Sequence, residues 1–116
     1  DFDVLAPAGC VLSSVEDMSR YAQTHLDPNN ATTQRMQAVT YVAKEDVHIG
    51  LGWMIIKAKN EQQYLFHNGG TGGYRSAMVL NSATNKGVIV LTNASVMHTD
   101  RSKVDQLAIQ LLDGLH

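Results

Sequence analysis

The residues whose types and spacing could do chemistry lie in one stretch, Phe66-His67-Asn68-Gly69-Gly70-Thr71-Gly72-Gly73-Tyr74-Arg75-Ser76. It sets an imidazole, a carboxamide and four glycines between two runs that read as strands, Gln63 to Phe66 and Ser76 to Leu80. Glycine permits positive φ and close approach to the backbone, so this density marks a constrained or ligand-facing segment. A plain hairpin needs only one Asn-Gly or Gly-Gly pair, and here Asn68-Gly69 and Gly72-Gly73 both occur. Two readings stand at this point: a ligand-facing backbone, or a wide hairpin with a bulge around an ordinary histidine. A nucleotide loop is excluded, because the stretch lacks a Gly-Lys-Ser/Thr ending and precedes a strand rather than a helix.

The remaining composition narrows the choices. The 116 residues suffice for one small domain, and 44% apolar with 17% charged residues describes a globular chain. A net charge of −2 with no basic cluster gives no electrostatic footprint for nucleic acid. No apolar run reaches the roughly 20 residues of a membrane span. His25, His48, His98 and His116 lack metal-ligand spacing, so neither a metal nor a cofactor is expected. Cys10, the only cysteine, excludes an internal disulfide and reads as a small buried thiol. The chain begins at Asp1 without Met, which reads as a cut or cleavage upstream.

The elements that must position the stretch can be taken in order. Ala6-Pro7-Ala8-Gly9 reads as extended chain or turn. Ser13 with Glu16, or Ser14 with Asp17, caps a helix whose inner face is Val15, Met18, Ala22 and Leu26, with Tyr21 at its margin. Asp27-Pro28-Asn29-Asn30 ends it, and a second helix is expected from about Thr33 to Val39. Strands follow at Leu51 to Ala58, Gln63 to His67, Ser76 to Leu80 and Val88 to Thr92, with Asn85-Lys86-Gly87 as the last turn. Trp53 and the methionines read as core. Short links between these strands predict an antiparallel meander. Asp100 can cap a final helix with an apolar stripe of Val104, Leu107, Ala108, Leu111 and Leu115. The fold class is therefore α+β, an antiparallel meander flanked by helices.

Val88-Ile89-Val90-Leu91 is apolar on consecutive positions, the pattern of a strand covered on both faces. As the last strand of the meander it would lie at an edge, where an uncharged apolar strand invites pairing. A neighbouring strand is expected from outside this chain, supplied by the parent protein or by a second copy.

These residues resemble, in order along most of the chain, the C-terminal part of serine β-lactamases and penicillin-binding proteins, with class C enzymes, DD-peptidases and esterases nearest. Pro7-Ala8-Gly9 with Ser13, Asp17 and Met18 is similar to the family's Pro-Ala-Gly-Gly and Ser/Thr-x-x-Asp-Met segment, with Cys10 in place of the second glycine. Leu51-Gly52-Trp53 resembles its Leu-Gly-Trp strand. His67-Asn68-Gly69 stands where the family carries Lys-Thr-Gly or His-x-Gly; Thr71-Gly72-Gly73-Tyr74 and Ser76 continue the motif, and Gly87 to Asn93 follows as the next strand. The resemblance implies a partial β-lactamase/transpeptidase-like fold: residues 1–116 as one partial domain, without the N-terminal strands and the helical region that bears the nucleophile.

It also implies a chemistry. The family uses the serine of Ser-x-x-Lys as nucleophile and a Tyr-x-Asn or Ser-x-Asn element for proton transfer. No serine here is followed three residues later by lysine, and Tyr21-Ala22-Gln23 and Tyr41-Val42-Ala43 lack the asparagine. The chain would then carry one wall of an acyl-transfer site and be inactive alone. On that wall the resemblance gives His67 the place of the family's lysine and makes the Gly70 N–H an oxyanion donor. Asn68 replaces a hydroxyl and can donate to a substrate. Gly69, Thr71, Gly72, Gly73 and Tyr74 would line the substrate path. The implied substrates are β-lactams, D-Ala peptides or esters, and the implied location is the bacterial periplasm or cell envelope. The competing expectation is a non-catalytic module that binds a peptide or a partner strand.

Overall fold

A computed structural model of the chain describes residues 3–94 and 102–115. Six strands form one antiparallel sheet in sequence order: β1 (Tyr41–Lys44), β2 (Val47–Ile49), β3 (Met54–Lys57), β4 (Gln63–Thr71), β5 (Tyr74–Asn81) and β6 (Lys86–Thr92). Every neighbouring pair is antiparallel, so the expected meander is present. The hairpin of β1 and β2 adds two strands that the sequence reading lacked. Its residues 41–46 are all exposed, so no alternation of burial marks them.

Among the described residues, a short 3-10 turn (Asp3–Leu5) and four α-helices accompany the sheet: α1 (Ala6–Gly9), α2 (Val15–Leu26), α3 (Ala31–Met36) and α4 (Lys103–Asp113). Ala6 to Gly9 is a short helix rather than extended chain, and Pro7 fits because it sits in the first turn, where its missing N–H costs nothing. Ser14 is the cap of α2, its hydroxyl accepting from the Asp17 N–H at 3.2 Å. Asn30 caps α3 in the same way through the Thr33 N–H, so α3 starts and ends earlier than the expected Thr33 to Val39. Cys10 is exposed rather than buried, since it lies with Val11 and Leu12 in the uncovered link between α1 and α2.

The sheet separates two cores. On one face Leu65, Met78, Leu80, Trp53 and Ile55 pack against Ala22 of α2, flanked by Met18 and Leu26. On the other, Tyr64, Phe66, Ala77 and Val79 pack against Ala108 and Leu112 of α4. Because strand side chains alternate, these clusters assign a face to every residue of β4. His67 shares the α2 face with Leu65, and Asn68 shares the α4 face with Phe66.

Two helix faces differ from the periodic expectation. On α2, Val15 is half exposed and His25 is fully buried. On α4, Leu107, Leu111 and Leu115 are each nearly half exposed, and the inner stripe is Val104, Ala108 and Leu112. That helix has two apolar stripes of four-residue spacing, and periodicity alone cannot choose between them. Ala108 and Leu112 meet the sheet, where the small Ala108 side chain allows close approach. The expected cap, Asp100, lies outside the described residues, and Ser102 precedes the helix without a side-chain cap bond.

The strand from Lys86 to Thr92 is the sheet's last, with Val88 and Val90 toward α4 and Ile89 toward α2, all half-buried. Leu91 is 40% exposed. Among the described residues β6 has no second strand beside it.

Candidate active site

The geometry of the site begins with a mismatch in strand length. The β2–β3 hairpin turns through Leu51 and Gly52, with the Gly50 N–H donating to the Trp53 carbonyl at 2.8 Å. Gly52 takes φ +76°, which glycine reaches without strain. This tight turn starts β3 only at Met54, so its pairing with β4 stops at Met54 opposite Phe66. Strand β4 continues through His67, Asn68, Gly69, Gly70 and Thr71, paired only with β5. Among the described residues, the segment that carries the chemistry therefore has no strand paired on its β3 side.

The direction of its backbone groups follows from alternation. In an antiparallel sheet successive residues aim their N–H and C=O at opposite neighbours. The Lys57 N–H donates to Asp46, on the β2 side, and the Ala58 N–H donates to Gln62, on the β4 side. Counting back, Ile56 and Met54 face β4, and their partners Tyr64 and Phe66 face β3. The same parity turns the N–H and C=O of Asn68 and Gly70 toward the open edge. His67, Gly69 and Thr71 turn theirs to β5.

Each expected site residue can now be placed. His67 is exposed and borders a cavity of about 220 Å³ between α2 and the sheet, lined also by Met18, Tyr21, Trp53, Met78 and Ile89. Asn68 sends its side chain to the opposite face, where its amide donates to Asp105 of α4 at 2.8 Å. Gly69 is crowded: a Cβ there would stand 2.8 Å from the Ser76 hydroxyl. Thr71 closes β4 opposite Tyr74, which is 68% exposed. Gly72 and Gly73 form the turn between them; neither takes a left-handed φ, and a Cβ on either would meet no atom within 4 Å. Helix α1 lies against β4. The sequence stretch is thus brought together as one strand–turn–strand unit, with its side chains divided between two faces.

One group behind the cavity escaped the sequence reading. His25 is 1% exposed and packs edge-on against Tyr21 and Trp53, with ring centroids 4.6 and 5.1 Å away. Neither ring nitrogen has a hydrogen-bond partner among the described residues, nor has Trp53 Nε1. The spacing Met18, Ala22, His25 on one helix face was the signal available. Burial lowers the His25 pKa from the usual 6.5, since the charged ring would lose its water. The neutral ring is thus favoured in the folded state. Its full contribution is present above pH 6.5 and is lost as pH falls below that value, because the unfolded chain then takes up a proton the fold resists. Urea titrations from about pH 8 to about pH 5 are expected to show a stability loss from this group that sets in as pH falls below 6.5. His25→Phe should remove that component and leave the slope of the other groups. Equal slopes for both proteins would refute this role.

The family model described as Beta-lactamase matches residues 2–113. Among solved structures, a class C β-lactamase superposes with a TM-score of 0.70 at 15% identity, over 90% of this chain and 36% of its own. A β-lactamase/D-alanine carboxypeptidase from Yersinia pestis, complexed with citrate, gives 0.67 at 25% identity, over 86% and 34%. The octameric penicillin-binding protein homologue from Pyrococcus abyssi gives 0.69 at 23% identity, over 88% and 24%. This chain therefore spans about a third or less of the length of these proteins. No curated protein matches it. These structures share the fold of this chain, and the chain belongs to the beta-lactamase family.

Proposed function

We propose that this chain forms one wall of a serine-hydrolase active site, whose parent protein acts by acylation and deacylation of a serine. The observation that carries the reading is the open edge of β4, where the Gly70 N–H points away from β5. An N–H fixed in direction before reaction is what an oxyanion needs, because no reorganisation is required as charge develops. His67, the first residue of the motif, borders the cavity, where it takes the place of the family's lysine and biases nearby proton transfer. The nucleophile and its base come from another part of the parent, and the isolated chain is inactive. Substrates are β-lactams, D-Ala peptides or esters, and the parent works in the periplasm or cell envelope. The Yersinia pestis relative, a β-lactamase/D-alanine carboxypeptidase, supports the first two substrate classes.

The same reading explains the uncovered surfaces. The edge of β6 and the Leu107, Leu111 and Leu115 stripe of α4 receive the rest of the parent domain, or a second copy of this chain. Residues 1–116 are then one partial domain. A second reading, a non-catalytic module that binds an extended peptide, draws on the same open edges.

Mass spectrometry with a fluorophosphonate or β-lactam probe separates the two readings. The expected result is a stable adduct on the full-length protein and none on the 116-residue chain. No adduct on either would overturn the acyl-enzyme reading in favour of binding.

A further inference from the structure

We infer that Asp105 is a positioning residue for the β4 edge, acting through Asn68. The inference rests on the reading of that edge as a substrate wall. Asn68 and Asp105 lie 37 positions apart, and their side chains meet at 2.8 Å across the interface of β4 and α4. A second side-chain contact joins the same two elements among the described residues. At the other end of the same pair of elements, the Tyr64 hydroxyl donates to Asp113 at 2.8 Å and accepts from Asn60.

The two clamps fit each other geometrically. Asp105 and Asp113 are separated by eight helical residues, a rise of about 12 Å. Tyr64 and Asn68 are separated by four strand residues, about 13 Å. Helix α4 thus runs antiparallel to β4 and grips it at both ends. Between the grips Ala108 and Leu112 are buried against the sheet, so the helix is a fixed support. The grip at Asn68 falls where it is most needed, in the segment that has lost β3 on one side.

The contact also fixes which end of the Asn68 amide faces the helix. An ionised carboxylate only accepts hydrogen bonds, so the NH2 must face Asp105. Asp105 lies in the first turn of α4, where the helix N-terminus favours negative charge. Asp105 engages one N–H of that NH2, and the single contact holds the amide's second N–H and its carbonyl oxygen in one orientation.

The test is a double-mutant cycle in the full-length protein, reading the rate of acyl-adduct formation for Asp105→Ala, Asn68→Ala and the pair. Each single change is expected to lower the acylation efficiency about tenfold, the scale of one charge-assisted hydrogen bond. The pair should be no slower than Asn68→Ala alone, and Asp105→Glu should recover part of the rate. Losses that multiply, or a wild-type rate for Asp105→Ala, would overturn the inference. The Asn68 side-chain amide resonance in the 116-residue chain gives an independent readout. It should shift on Asp105→Asn, and an unmoved resonance overturns the clamp. If the wild-type protein forms no adduct, the serine-hydrolase reading falls, and this resonance alone decides whether the clamp exists.

Discussion

Gly70→Pro in the full-length protein is expected to slow acyl-enzyme formation by roughly 10²–10³-fold while leaving the fold in place. Proline removes one N–H, and the consequence depends on where that N–H points. The parity of β4 turns the Gly70 N–H away from the β5 ladder, so no bond to β5 is lost. Proline is tolerated on such edges for that reason. The residue before it, Gly69, is restricted to extended conformations, which a strand already requires. Activity and stability should therefore separate: a large fall in acylation, measured by timed mass spectrometry, with a thermal midpoint near that of the wild type. Gly69→Pro is the informative control. Its N–H faces β5, and a Cβ there meets the Ser76 hydroxyl at 2.8 Å, so it should lower the midpoint as well. An unchanged acylation rate in a folded Gly70→Pro protein would remove Gly70 from the oxyanion site.

What could be read from the sequence depended on whether its local pattern had one structural solution. The strands β4, β5 and β6 were legible because apolar residues run through them on both faces and turn residues bound them. The edge position of Val88 to Thr92 followed from counting strands in a meander, and the sheet order agrees. Strand β4 nevertheless extends to Thr71, four residues beyond the expected His67, because the glycines continue the β5 ladder rather than forming a wide loop.

The inner face of α4 was not legible, since Leu107, Leu111 and Leu115 repeat as regularly as Val104, Ala108 and Leu112. Only packing against the sheet selects one stripe. His25 was hidden by its residue type: an imidazole on a helix does not announce burial, although its spacing from Met18 and Ala22 does. The Asn68–Asp105 pair could not be found from spacing at all, because it joins two elements through tertiary structure alone. The candidate site was thus legible as a stretch of backbone, and its division between two faces was not. His67 and Asn68 are adjacent in sequence, yet one side chain borders the α2 cavity and the other is held by α4.

The same contrast gives a stability prediction in which two glycines behave oppositely. Gly50→Ala is expected to destabilise the chain by about 3 kcal/mol, the upper part of the range for overpacking. A Cβ at Gly50 would stand 2.5 Å from the Met36 carbonyl oxygen and 3.2 Å from that of Ala38. Both are backbone atoms and cannot rotate aside as a side chain would. The Met36 carbonyl also accepts the Leu51 N–H at 2.9 Å, so relieving the clash pulls on the bond that docks the β2–β3 turn to the end of α3. That turn delays the start of β3 to Met54 and so sets where its pairing with β4 stops. Gly73→Ala meets open space and needs no left-handed φ. It should leave stability unchanged or raise it by about 0.4–1 kcal/mol, through the lower entropy of the unfolded chain. In thermal melts the two variants should differ by well over 10 °C at this chain length, taking roughly 4 °C per kcal/mol. Similar midpoints would mean that the Met36–Gly50 approach is looser than the structure places it, and that the β2–β3 turn is not what sets the length of the open edge.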